Sequence, residues 1–147
     1  MKNILISLII VLIAVSCNKD IVSLELAEII KPPEAPAIYD NSSIEPELRI
    51  KNTGTIDITS IAITYHIDVN NSGTGYSGGP TTTWFGLIKP DHDTIIILNK
   101  WESFADRVPL HNGTHMLFID IFQVNTEQYD GFDLYENKRL FTLEDND

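Results

Sequence analysis

The sequence predicts an all-β protein, a seven-stranded antiparallel sandwich spanning residues 20–147 behind a short apolar leader. Three observations carry this reading. Large apolar residues fill the odd positions of Ile61-Ala62-Ile63-Thr64-Tyr65-His66-Ile67-Asp68-Val69, the period of a half-buried strand. Turn-forming clusters recur along the chain at Lys31–Pro36, Asn70–Gly75, Lys89–Asp93 and His111–Gly113. The segments between them are rich in β-branched residues and show almost no helical period, which argues for stacked antiparallel sheets.

The leader comes first. Met1, Lys2 and Asn3 precede an apolar run from Ile4 to Val15, followed by Ser16 and Cys17, the single cysteine. A basic start, an apolar stretch and small residues before a cut are the parts of a secretory signal. The run is too short to span a bilayer as a helix, which needs about twenty residues. The ending Ala14-Val15-Ser16-Cys17 resembles a bacterial lipobox, and the resemblance implies cleavage before Cys17 and its acylation. Residues 1–16 are then a cleaved signal helix, Cys17 the lipidation site, and residues 17–19 a short tether to the membrane. A lone cysteine forms no internal disulfide, and a lipid on it accounts for the thiol. This places the protein in the bacterial cell envelope, with the outer membrane expected to hold the anchor. Asn18-Lys19-Asp20 only partly resembles the acidic tract of surface-exported lipoproteins, so the leaflet stays open.

Without residues 1–16 the chain carries nine Lys and Arg against twenty-one Asp and Glu, a net charge of −12. Such a surface disfavours nucleic acid and is repelled by anionic lipid headgroups. About 130 residues suit one domain that buries its core without staples.

Strands are expected at Ile21–Ile30, around Leu48–Lys51, through Ile61–Val69, and at Thr81–Leu87, Thr94–Leu98, Thr114–Val124 and Arg139–Leu143. Ile56 and Ile58 lie out of phase with Ile61, so a bulge near Thr59-Ser60 should switch the face. In the sixth strand Asp120 shares a face with Met116, Phe118 and Phe122, which assigns Leu117, Ile119 and Ile121 to the core.

The order of these pieces resembles the CARDB family, a cell-adhesion-related domain found in bacteria. The resemblance rests on Asp20-Ile21-Val22-Ser23-Leu24, a Pro-containing loop, Leu48 through Thr55, the strand to Asp68, Leu87-Ile88-Lys89-Pro90, Gly113-Thr114-His115, Ile119-Asp120 and Glu136-Asn137. It implies an immunoglobulin-like sandwich that works by binding, without an enzyme's chemistry. Asp91-His92-Asp93 stands where the family tends to place Gly, and the loop from Asn125 to Asn137 is longer than its usual closing segment.

An up-and-down strand count brings Asn52–Thr55, Asp91–Asp93 and Asn125–Glu136 to one end. That end would gather Asp91, Asp93, Glu127, Asp130, Asp133 and Glu136, hard oxygen ligands suited to one calcium ion. A solvated acidic rim is the preferred reading, because no contiguous calcium-loop spacing is present. His111 and His115 have a helical metal-ligand spacing that Asn112-Gly113 breaks. Asp91-His92-Asp93 could orient an imidazole, yet no nucleophile motif accompanies it. Trp84, Phe85 and Tyr129 are aromatic candidates for stacking, as are Trp101, just after a strand end, and Tyr76, in a Gly-rich loop, the two glycan-binding candidates; core packing is the preferred reading of Trp84, and capping of the core that of Trp101. Asp93-Thr94-Ile95 resembles an Asp-Thr-aliphatic acceptor of O-glycosylation. The expected partner is a protein or a glycan; an accessory subunit that pairs through a sheet edge is the alternative.

Overall fold

Alternating apolar residues and β-branched side chains give ten strands in two sheets in the computed structural model, which describes residues 19–36, 38–40, 44–73, 76–101 and 110–144. The leader, Cys17 and the cleavage site lie outside these residues. In chain order the strands are β1 (Leu24–Lys31), β2 (Ile38–Asp40), β3 (Glu47–Asn52), β4 (Ile58–Asp68), β5 (Tyr76–Gly78), β6 (Thr82–Ile88), β7 (Asp93–Ile97), β8 (Gly113–Val124), β9 (Glu127–Gln128) and β10 (Lys138–Glu144). All seven expected strands are present. The count of seven is corrected by the short strands β2, β5 and β9, which hold two or three residues each and show no periodicity to read.

The smaller sheet runs β1-β3-β7 and the larger β2-β10-β8-β4-β5, with β6 also on β4 and β9 on β8. Every pairing is antiparallel except β2 with β10, where the chain returns from its proline loop alongside the last strand. Between the sheets lies one core in which Leu48, Ile50, Ile61, Ile63, Tyr65, Ile67, Leu117, Ile119, Ile121 and Phe141 are buried.

The face switch in β4 occurs where the pattern requires it. Ile58 and Ser60 are buried on one phase, Ile61, Ile63, Tyr65 and Ile67 on the other, and the register with β6 shifts between Ile58 and Ser60. The chosen face of β8 is buried too. Phe118, on its other face, is also covered, because Tyr135 packs edge-on against it at 6.2 Å.

The first strand starts at Leu24, three residues later than expected. Residues 19–23 are occupied instead with the turn after β3. Thr55 donates its N–H to the Ile21 carbonyl, while Thr53 and Gly54 donate theirs to the Ser23 carbonyl at 3.0 and 3.1 Å. A Cβ on Gly54 would lie 2.2 Å from the Ile21 oxygen, so this approach needs glycine.

Candidate interaction surfaces

The two lateral sides of the sandwich are finished differently. After β8 the chain turns through Asn125 and Thr126 and runs back along the same strand. Tyr129 donates its N–H to the Phe122 carbonyl at 2.9 Å, and Ile119 donates to the Asn137 carbonyl at 2.9 Å. Tyr129 also reaches across to the other sheet, where its phenol oxygen accepts the Leu24 N–H at 3.0 Å. Its ring lies on the backbone of Gly131, where a Cβ would come within 2.8 Å. This strap of residues 127–137 covers one side. Between it and β8 opens a cleft of about 560 Å³ lined by Asp120, Phe122, Gln128, Tyr129, Asp130 and Phe132, among others.

The opposite side is formed by β6 and β7, consecutive strands that end the larger and the smaller sheet. Among the described residues β6 pairs only with β4, and β7 only with β3. Phe85 is 74% exposed and Leu87 55%, both on the outward face of β6; Ile95 and Ile97, outward on β7, are 46% and 57% exposed. From Thr82 to Ile88 the strand contains no charged residue and no proline. Edge strands usually carry such residues to prevent pairing with another chain. Trp84 folds its indole over Gly86, leaving no room for a Cβ there. Beyond β7 the outer face of the small sheet is charged: Arg49 bridges Glu28 at 3.3 Å and Asp93 at 3.0 Å, and Lys31 meets Glu47 at 2.8 Å.

The acidic residues expected to gather at one end do not do so. Asp93 belongs to the outer face of the small sheet, and its hydrogen bond from Arg49 holds its carboxyl below the usual range. Asp91 sits in an exposed turn with a φ of 62°. Glu127, Asp130, Asp133 and Glu136 follow the strap along β8, where Asp130 accepts from Gln128 at 2.8 Å and Asp133 from the Tyr135 N–H at 2.8 Å. Among the described residues no three His, Cys, Asp or Glu side chains come together to hold a metal. The six carboxylates therefore do not form one rim: the strap doubles back alongside its own strand, which spreads them down the sheet.

Trp101 takes the core-capping role preferred for it and not that of a glycan contact. It is 4% exposed, its ring lies 6.0 Å from that of Tyr65, and its backbone N–H donates to the Ile44 carbonyl at 2.7 Å. It caps the core and is unavailable to a glycan. Tyr76 begins β5, where its backbone pairs with Asp68; its side chain lies outside the described residues. Thr94 is half-buried in β7 opposite Ile50.

The histidines are engaged locally. His92 places Nδ1 2.9 Å from the Pro90 carbonyl of its own turn. His115 is fully buried; Nδ1 accepts the Asn70 N–H at 3.1 Å, so Nε2 carries the proton and donates to the His111 carbonyl at 2.8 Å. It meets the backbone of His111, not its ring, and both nitrogens are spent on the main chain. Burial lowers its pKa, with the His111 charge acting in the same direction; the hydrogen bond to His111 and the charge of Asp68 oppose this.

Among the described residues no helix is long and apolar enough to cross a membrane. The bare β6 side was missed by strand-by-strand reading. Its signal was present as two runs, Trp84-Phe85-Gly86-Leu87-Ile88 and Ile95-Ile96-Ile97-Leu98, that are apolar on both faces yet sit in edge strands.

No family model matches the sequence, and no curated protein sequence matches it. Among solved structures, the chain is similar to a CARDB domain from Pyrococcus furiosus determined with di-metal ions, at 14% identity and a TM-score of 0.48, over 88% of this chain and 93% of that one. It is similar to an alkylpurine DNA glycosylase of Pseudomonas fluorescens at 16% identity and a TM-score of 0.45, over 84% of this chain. It is also similar to beta-glucosidase 3B of Thermotoga neapolitana at 12% identity and a TM-score of 0.46, over 82% of this chain. The chain spans 31% of the glycosylase and 17% of the glucosidase.

Proposed function

We propose that this is a lipid-anchored envelope protein whose sandwich acts by binding, and that a protein partner docks along β6 as an accessory contact. The observation that carries the reading is a seven-residue edge strand with no charge and no proline, on which Phe85 and Leu87 stand exposed. Unpaired backbone groups beside exposed apolar side chains form a template for a partner strand; left bare, they are a hazard. The acidic remainder of the surface supports solubility and steers the contact to this one side.

A photo-crosslinking residue placed at Leu87 in intact cells should trap a discrete adduct, and Phe85→Asp in the same protein should abolish it. A crosslinker at Thr142, on the far strand β10, is the control. Absence of an adduct from Leu87, or an equal yield from both positions, would sink the proposal. Protease treatment of intact cells then shows which side of the membrane holds the partner.

A second reading, a glycan contact, is favoured by the cleft between β8 and the strap, where Phe122 and Tyr129 flank the carboxylates of Asp120 and Asp130. It predicts that Phe122→Ala lowers glycan retention and leaves the Leu87 adduct intact.

A further inference from the structure

We infer that, in the anchored protein, the end of the sandwich carrying the Asn52–Thr55 and Lys89–His92 turns lies against the bilayer surface and the opposite end faces away. The inference rests on the lipid anchor proposed above and adds an orientation to it.

Residues 19–23 do not leave the domain as a free linker. Thr55 Oγ1 donates to the Lys19 carbonyl at 3.1 Å and accepts the Ile21 N–H at 2.9 Å, while the Thr55 N–H returns to the Ile21 carbonyl at 2.9 Å. The hydroxyls of Ser23 and Thr53 meet at 2.8 Å. Gly54, which admits no Cβ against Ile21, brings the two backbones into direct contact. The chain is therefore held against this turn as far out as Lys19. From Lys19 to Cys17 there are two peptide units, and consecutive Cα atoms stand about 3.8 Å apart, so the acylated residue lies within about 8 Å of Lys19.

The turn to which it is clamped belongs to one end of the sandwich. Asn52 donates its N–H to the His92 carbonyl and accepts the Asp91 N–H, both at 2.9 Å, which joins the Lys89–His92 turn to it. The eleven residues of β4 lead from this end to the other, about 35 Å away at the usual strand rise. A tether of about 8 Å keeps the near end at the membrane, and the far end touches it only if the sandwich lies on its side. Ile21 and Val22, 47% and 37% exposed, stand next to the anchor, where apolar side chains suit the interface. Among the described residues, exposed charges at this end include Lys19 and Lys89 against Asp20, Glu25, Asp57, Asp91, Asp93 and Glu127. Charge therefore gives no attraction to anionic lipid, and the tether alone holds the contact. In this orientation β6, paired with β4 from Ile63 to Ile58, runs from the middle of the sandwich down toward the membrane, so a docking partner meets it from the side.

The test uses the full-length acylated protein in phosphatidylcholine vesicles that carry a headgroup acceptor dye. Acylation occupies Cys17, so a donor dye can be attached to Lys89→Cys at the near end or to Lys100→Cys at the far end. Energy transfer several-fold stronger from position 89 is expected, and Thr55→Val, which removes the hydroxyl clamp, should narrow the difference. Equal transfer, or stronger transfer from position 100, on protein whose N-terminal peptide shows the mass of an acylated cysteine would overturn the orientation. An N-terminal peptide without acyl mass would instead remove the anchor itself, and the orientation with it.

Discussion

The two ends of the sandwich are each tied to the sheets by a buried polar side chain, but the chemistry of the ties differs. At the end that holds Lys19, Asn52 is fully buried; its amide donates to the Ile56 and Ile88 carbonyls at 2.8 and 2.9 Å and accepts the Gly54 N–H at 2.9 Å. At the other end Asp68 accepts from the Ser72 N–H and hydroxyl, both at 3.2 Å, and from the Gly73 N–H at 2.8 Å, while His115 accepts from Asn70. The first tie is neutral and joins three segments of the interior. The second holds a surface turn and includes the buried His115, whose pKa burial lowers. The first should therefore keep its shape at any physiological pH, whereas at the second His115 couples stability to acid.

Alanine at each tie should expose the difference. Asn52→Ala takes the amide donor from the Ile56 and Ile88 carbonyls and leaves the Gly54 N–H with the Ser23 carbonyl alone; each buried loss costs about 1–3 kcal/mol, so a destabilisation of about 4 kcal/mol is expected. Asp68→Ala frees groups of Ser72 and Gly73, both of which are exposed and can be hydrated, so about 2 kcal/mol is expected. Urea denaturation of the two variants measures both. Equal losses would mean that the far turn is as integral to the core as the near one.

A smaller effect separates the ends by pH. The folded state lowers the His115 pKa from its ordinary value of about 6.5, chiefly through burial. The unfolded chain then binds the proton more readily, so the stability linked to this residue is complete above about pH 6.5 and is lost as the pH falls through the folded value. Protonation would also turn Nδ1 into a donor facing the Asn70 N–H. The wild-type protein should lose more stability between pH 7 and pH 5 than His115→Gln does. Parallel slopes for the two would show that the proton is taken up elsewhere.

The sequence was legible wherever one strand buries one face. Ile61, Ile63, Tyr65 and Ile67 announce both their strand and its core side, and the misplaced phase of Ile56 and Ile58 announces the bulge. The candidate sites were harder because they depend on where loops go. Trp101, after a strand end, leaves both a core cap and a ligand contact open in the sequence, and the backbone of Ile44, more than fifty residues earlier, decides for the cap by closing over it. The six carboxylates read as a cluster only if the Asn125–Asn137 segment stays at its end of the sandwich. Its hydrogen bonds to Phe122 and Ile119 take it down the side, and nothing in its composition specifies that path. The bare edge was legible in principle, since a charge-free strand needs a covering element or a partner, but only topology identifies β6 as an edge.

The smallest effect concerns how each end turns its chain. The far end uses left-handed residues that tolerate it, Asn70, Asn71 and Gly73 at φ of 61°, 49° and 72°. The near end turns from β8 to β9 through Asn125 and Thr126, both left-handed, at φ of 51° and 69°. Two successive positive φ values make this a hairpin of the type that favours Asn-Gly. Asn125 fits, and its side chain also anchors the turn, accepting the Thr59 N–H at 2.7 Å and donating to the Asp57 carbonyl at 2.9 Å. Thr126 does not fit, because a β-branched side chain is strained in this region. Its carbonyl alone is used, accepting from Gln123 at 2.9 Å. Thr126→Gly should therefore raise stability by about 0.5–1 kcal/mol, the relief of strain exceeding the added freedom of the unfolded chain. A rise in the urea midpoint with an unchanged slope would confirm it. A fall would mean that the threonine side chain makes up for its backbone, and that the near end is held more tightly than its hydrogen bonds indicate.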